Sequence, residues 1–171
     1  MRLAGPTGMV PFGLLLFVTL CSTLGVHMFV PALALVSHDL GATATQLQAT
    51  VTVYVLGLAT GQLVYGPISD AFGRRPVMLA GLALFLAGSL VCLAAGSAQV
   101  LIAARFVQAF GGCAGMLLGR AIVRDVYDAA ETLRRLTMLA LLMTAAPGVA
   151  PLVGGTLTAA LGWRALFAFL A

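Results

Sequence analysis

The stretch "GPISDAFGRRPV" runs from Gly66 to Val77 and gathers Asp70, Arg74 and Arg75 into one short turn. Only 8% of the 171 residues are charged, and long apolar runs flank this turn on both sides. A water-soluble domain carries about 25% charged residues. With 61% hydrophobic residues and a mean hydropathy of +1.10, this chain has too few charges for a water-facing surface. A lipid bilayer is the solvent that tolerates the deficit. The turn therefore reads as a loop at a membrane face, joining two membrane spans.

Working outward from it, the apolar runs divide into spans, each needing about 20 apolar residues. They lie near residues 9–31, 45–66, 76–96, 99–120 and 136–160. Pro11 and Pro76 fall where a helix accepts proline, in its first turn. A sixth span starts at Trp163 and stops at Ala171. That remnant rises only about 13 Å as a helix, against a hydrocarbon core of ~30 Å, so the sixth helix is predicted to be truncated. The opening run from Met9 to Val36 is too long for the apolar core of a signal peptide, and further spans follow it. It is read as the first span.

Arginine placement sets the orientation. All nine basic residues are Arg. With the N-terminus inside, the inner segments hold Arg2, Arg74, Arg75, Arg120, Arg124, Arg134 and Arg135. The outer turns hold only Arg164, and Arg105 lies within the fourth span. The net charge of +4 does not signal nucleic-acid binding, because the arginines are spread between apolar runs without interleaved aromatics. Cys21, Cys92 and Cys113 are odd in number, widely spaced and set among Leu and Ala, which predicts buried apolar side chains rather than a disulfide frame or a metal site. No cofactor motif is present. Gly57 and Gly61, and then Gly111, Gly115 and Gly119, follow the small-xxx-small spacing that lets membrane helices pack closely.

The turn itself, "GPISDAFGRRP", resembles the signature between the second and third helices of the major facilitator superfamily, G-x-x-x-D-R-x-G-R-R. Gly66, Asp70, Gly73, Arg74 and Arg75 match, and Ala71 stands where the family has Arg. "RFVQAFGGCAG" from Arg105 resembles the fourth-helix signature, and "APGVAPLVGG" from Ala146 resembles the fifth-helix antiporter signature, with Ala150 in place of one Gly. "GQLVYGPISD", "RAIVRDVYD" and "GWRALFAFLA" are similar to the Bcr/CflA branch of drug–proton antiporters. The resemblance implies an all-α membrane protein of twelve helices, of which this chain is the N-terminal six-helix half. The C-terminal half, or a second half-transporter, is then an expected partner.

The resemblance also implies roles. Asp70 and Arg74, with an acid from the inner end of the fourth span, for which Asp125 fits best, form a latch between conformations in the family. Arg74 and Arg75 also hold the loop inside, and both roles can coexist. Arg105 lies about six residues, ~9 Å, inside the outer end of its span, where a charge must face a partner or a wet cavity. At helical spacing it shares a face with Gln108, Gly112, Gly115 and Gly119. Thr19, Thr23 and His27 form a polar stripe on the first span. His27 sits where drug antiporters of this branch carry a carboxylate. Two readings stand for it. It is a proton carrier beside Arg105, or a packing and hydrogen-bonding residue. Tyr54 and Gln62 are candidate cavity residues. Pro147 and Pro151 are predicted to bend the fifth span, and Gly154 and Gly155 to admit a neighbour from the other half.

The functional expectation is efflux of small, apolar, drug-like compounds by proton antiport across the bacterial inner membrane. No phosphate-binding loop of the G-x-x-x-x-G-K-S/T type supplies another energy source. A major facilitator carrier of another solute, or a truncated half that does not transport, are the alternatives. An enzyme is the least expected class, since the chain offers no Ser–His–acid set, metal spacing or paired carboxylates.

Overall fold

The computed structural model describes residues 12–171. The expectations for Arg2, Met9 and Pro11 lie outside the described residues. The elements are α1 (Phe12–His27), a 3-10 turn (Val30–Ala32), α2 (Leu33–Leu40), α3 (Ala44–Phe72), α4 (Arg74–Leu93), α5 (Ala98–Val126), α6 (Ala129–Leu161) and α7 (Arg164–Leu170). Five helical stretches are long and apolar enough to cross a bilayer, with α1, the 3-10 turn and α2 together making the first. The chain is a multi-pass membrane protein.

The helices run further than the apolar runs alone predict. α3 reaches Phe72 rather than 66, α5 reaches Val126 rather than 120, and α6 begins at Ala129 rather than 136. In each case the extension carries polar residues, which a hydropathy cut discards but a helix keeps. Local chemistry sets the true ends. Thr43 and Gln46 form a reciprocal capping box at the start of α3, Ser97 caps α5, and the Asp128 carboxylate accepts from the Glu131 amide at 2.9 Å to cap α6. Gly73 joins α3 to α4 with φ +91°, a conformation open to glycine at little cost. Pro147 and Pro151 lie inside a helix that continues through both.

α5 is the centre of the bundle. Its glycines admit three neighbours. A methyl group at Gly57 of α3 would lie 2.7 Å from the Phe106 carbonyl, and one at Gly88 of α4 would lie 2.5 Å from the Gln108 amide nitrogen. On the α1 side, a methyl at Gly112 would meet Ser22 Oγ at 2.7 Å, and one at Gly119 would meet Thr19 Oγ1 at 2.7 Å. The small residues thus set backbone separation between α5 and α1, α3 and α4, as expected where dispersion drives packing in lipid. Ser22 and Thr19 use this closeness to donate hydrogen bonds to the Gly112 and Gly115 carbonyls.

Two apolar cores form, one towards each end. Leu15, Tyr65, Met78, Cys113, Leu118 and Val123 fill the end that carries Arg74 and Arg75, called here the basic end. Phe29, Phe85, Cys92, Leu101, Trp163 and Phe167 fill the opposite end. The outward faces stay apolar and exposed: Leu63 of α3 is 78% exposed and Leu152 of α6 is 71% exposed. Such faces suit contact with lipid or another helix.

Candidate functional site

At the basic end, the turn through Gly73 places Arg74 back over the last turn of α3. Its Nη1 lies 2.7 Å from Asp70 Oδ1, and its Nε lies 3.3 Å from Asp125 Oδ2 on α5. It also donates to Ser69 Oγ, which in turn donates to the Gly66 carbonyl at 2.9 Å. One guanidinium therefore joins three consecutive spans. Asp70, Arg74 and Asp125 come together in the structure, and Ser69, which sequence reasoning passed over, belongs to the same cluster. Arg75 is exposed. Gly66 is half-buried, with open space where a Cβ would stand.

Arg105 is set about ten ångströms along α5 from its first turn, at the other end of the molecule. It is completely buried. Its Nη1 donates to Gln108 Oε1 at 2.8 Å, Gln108 Nε2 donates to Ser89 Oγ at 2.8 Å, and Ser89 donates to the Phe85 carbonyl at 2.8 Å. This relay ties α5 to α4. The i,i+3 spacing of Arg105 and Gln108 puts both side chains on one helix face. Aromatic rings enclose the guanidinium carbon, with Tyr54 at 4.0 Å from the ring centroid, Phe29 at 4.6 Å and Phe167 at 5.8 Å. The Tyr54 hydroxyl donates to the Ser22 carbonyl at 2.8 Å, which anchors that ring to α1.

The helix interruption after His27 makes this enclosure. α1 stops, Met28 and Phe29 turn inward to 1% exposure, and the 3-10 turn follows at Pro31. Phe29 thereby reaches Arg105. His27 remains half-buried and makes no hydrogen bond or ion pair among the described residues. Thr23 is likewise half-buried, while Gln62 is exposed on α3. The face of α5 that carries Gly112, Gly115 and Gly119 is packed against Ser22, Val18 and Thr19 of α1.

The fifth-span motif packs differently from expectation. A Cβ on Gly154 would collide with the backbone of Met28, so the first span of this same chain packs against it. Gly155 faces Pro31, 3.9 Å from where its Cβ would be. The close approach follows from the inward turn at Met28, which no periodicity in the first span announces. Pro147 is exposed and Pro151 half-buried on the same helix.

A third cluster, absent from the sequence reading, closes the end opposite the basic one. Asp39 accepts from Trp163 Nε1 at 2.9 Å and from Arg164 Nη1 at 3.4 Å, and Arg164 Nη2 donates to the Ala95 carbonyl at 3.1 Å. It links the end of α2, the α4–α5 turn and the start of α7. Its signal in the sequence is only that Asp39 and Arg164 both fall in turns at that end.

Comparison with known proteins agrees with this architecture. The profile of the Major Facilitator Superfamily matches residues 15–171. The chain is 38% identical over 152 residues to a chloramphenicol resistance protein of Pseudomonas aeruginosa, a match covering 88% of this chain and 36% of that protein. It is 36% identical over 143 residues to multidrug resistance protein D of Escherichia coli (strain K12), covering 84% of this chain and 36% of the relative. It is 35% identical over 143 residues to a bicyclomycin resistance protein homolog of Haemophilus influenzae, with the same 84% and 36% coverage. The chain thus spans little more than a third of the length of these relatives. With five membrane-capable helical stretches packed around the glycine-rich α5, the charged turn at Gly66–Arg75 and these relatives, the chain belongs to the Major Facilitator Superfamily, among proteins similar to its Bcr/CflA-type drug-resistance members.

Proposed function

We propose that the protein exports small, apolar, drug-like compounds by alternating access, in exchange for protons, across the bacterial inner membrane with its N-terminus inside. The observation that carries this reading is the Asp70–Arg74–Asp125 cluster, in a chain whose relatives are named for antibiotic and multidrug resistance. Arg74 is 33% exposed and its acids are more so. Ion pairs in such surroundings contribute about 1 kcal/mol or less each. A latch of that strength holds one conformation yet breaks and re-forms within a transport cycle. Gly66, Gly73 and Arg75 complete the turn that presents it. Six described arginines at the basic end, against Arg164 at the other, support the inside location of that end.

In this reading Thr23, Tyr54, Gln62, Arg105 and Gln108 contribute to the central path. His27 is the proton carrier, supported by its half-buried place at the end of α1 and by the lack of a hydrogen bond or ion pair to it among the described residues. Pro147, Pro151, Gly154 and Gly155 seal the outer side by locking α6 onto the Met28 turn. The C-terminal half, or a second half-transporter, supplies the opposing wall, and lipid covers the rest.

The test is efflux from cells that lack their own exporters, expressing the full gene product. Asp70→Asn is expected to insert normally and to lose export of chloramphenicol or bicyclomycin. Export at the wild-type rate overturns the latch. His27→Ala is expected to flatten the pH dependence of efflux, and an unchanged profile removes the proton role.

A further inference from the structure

Arg105 is a buried cation that no acid of this chain neutralises. The sequence holds five acidic residues, and each is engaged elsewhere. Asp39 pairs with Trp163 and Arg164, Asp70 and Asp125 share Arg74, Asp128 caps α6, and Glu131 pairs with Arg135. Three rings and one amide offset part of the burial cost. They leave a specific remainder. Arg105 Nε and Nη2 are buried without a hydrogen-bond partner among the described residues.

Those two groups are not a random pair. Nε–H and Nη2–H lie parallel along one edge of the planar guanidinium, the fork that receives a carboxylate through two parallel hydrogen bonds. Gln108 takes Nη1 and leaves this edge open. Ser89 holds the Gln108 amide, so the amide is committed to Nη1 and does not swing across to the fork. Tyr54, Phe29 and Phe167 meanwhile present aromatic surface around the same cation. The free edge is thus a pair of parallel donors enclosed by aromatic rings.

We infer that Arg105 is a recognition residue for a carboxylate on an aromatic or similarly apolar solute, held two-pronged by Nε–H and Nη2–H when the rings part. This rests on the carrier reading for the route by which solute arrives, and narrows its substrate class from apolar compounds in general to amphiphilic acids. A carboxylate from an acidic side chain elsewhere in the gene product has the same chemistry, and the experiment separates the two sources.

The probes are 2-naphthoate and its neutral counterpart 2-naphthamide, titrated calorimetrically into the full gene product in lipid nanodiscs. Wild type is expected to bind the acid at least about tenfold more tightly than the amide, as two charge-assisted hydrogen bonds require. Arg105→Lys keeps the charge and loses the fork, so it is expected to lose about tenfold for the acid and little for the amide. Arg105→Gln serves as the second variant, and thermal unfolding checks that each is folded. Equal affinity of wild type for acid and amide overturns the inference with no variant needed. That same equality, together with a lower melting temperature for Arg105→Lys, assigns the fork to an internal acid and likewise overturns it. Because the readout is equilibrium binding, an acid-selective protein that exports neither the drugs nor 2-naphthoate overturns the carrier reading alone.

Discussion

Arg74 and Arg105 belong to neighbouring spans and have the same side chain, yet they are stabilised by opposite means. Arg74 lies at the end of the bundle, one third exposed, against two carboxylates at 2.7 and 3.3 Å. Arg105 lies within the bundle, wholly buried, against one amide and three rings, with no carboxylate. Near water, pairing two ions removes little hydration from either, so charge answers charge at small cost and small gain. At depth a second ion adds its own desolvation penalty, which the attraction repays only in very good geometry. Aromatic faces and a neutral amide are cheaper to bury. Arg74 is therefore built to let go, and Arg105 is built to stay charged.

This contrast is open to direct attack. The largest effect is expected from Arg105→Met. It removes a charge that costs several kcal/mol to bury, so the melting temperature is expected to hold or rise while transport falls by more than about tenfold. Arg74→Met is expected to do the reverse for stability, lowering it by about 1 kcal/mol by leaving Asp70 and Asp125 facing each other unneutralised. Thermal unfolding in nanodiscs, read alongside efflux, checks both. If Arg105→Met is destabilised more than Arg74→Met, the two sites are not different in kind.

A smaller effect separates ring from hydroxyl at Tyr54. Tyr54→Phe keeps the ring 4.0 Å from the Arg105 carbon and loses the bond to the Ser22 carbonyl, which is expected to cost about 1 kcal/mol of stability and leave transport near wild type. Tyr54→Leu removes the ring as well, and is expected to reduce transport severalfold. Equal transport by the two variants denies the ring its role over the cation. The smallest effect is expected at the end opposite Arg74. Asp39→Asn keeps an acceptor for Trp163 and loses the Arg164 ion pair, whose partners are each 43% exposed, so about 0.5 kcal/mol is at stake. A loss of several kcal/mol there instead makes Asp39 the anchor of α7, and through Phe167 a determinant of the Arg105 enclosure.

Much of this architecture is legible without coordinates, for a physical reason. Lipid permits few ways to satisfy a backbone, so an apolar run of sufficient length is a helix and a charge cluster between two such runs is a loop. That logic yields the all-helical bundle, the spans, the clustering of arginines at one end and the close-packing glycines of α3 and α5. It also marks Asp70, Arg74, Asp125, Arg105 and Gln108 as residues whose cost at their positions demands a reason. The helices run past the apolar runs at Phe72, Val126 and Ala129, because hydropathy measures the bilayer's reach, whereas Gly73, Tyr127 and the Asp128 cap mark where the helices end or begin.

The sequence by itself determined that this chain crosses membranes as helices and that Arg105 needs company, since hydropathy and the cost of a buried charge act residue by residue. Tertiary structure alone decided which company it keeps. Phe29 reaches Arg105 only because α1 breaks after His27, Phe167 only because α7 docks on α4, and Gly154 meets Met28 only because that same break brings the two backbones together. These contacts join residues far apart in the chain, and their partners are set by how whole helices cross, which no local pattern encodes.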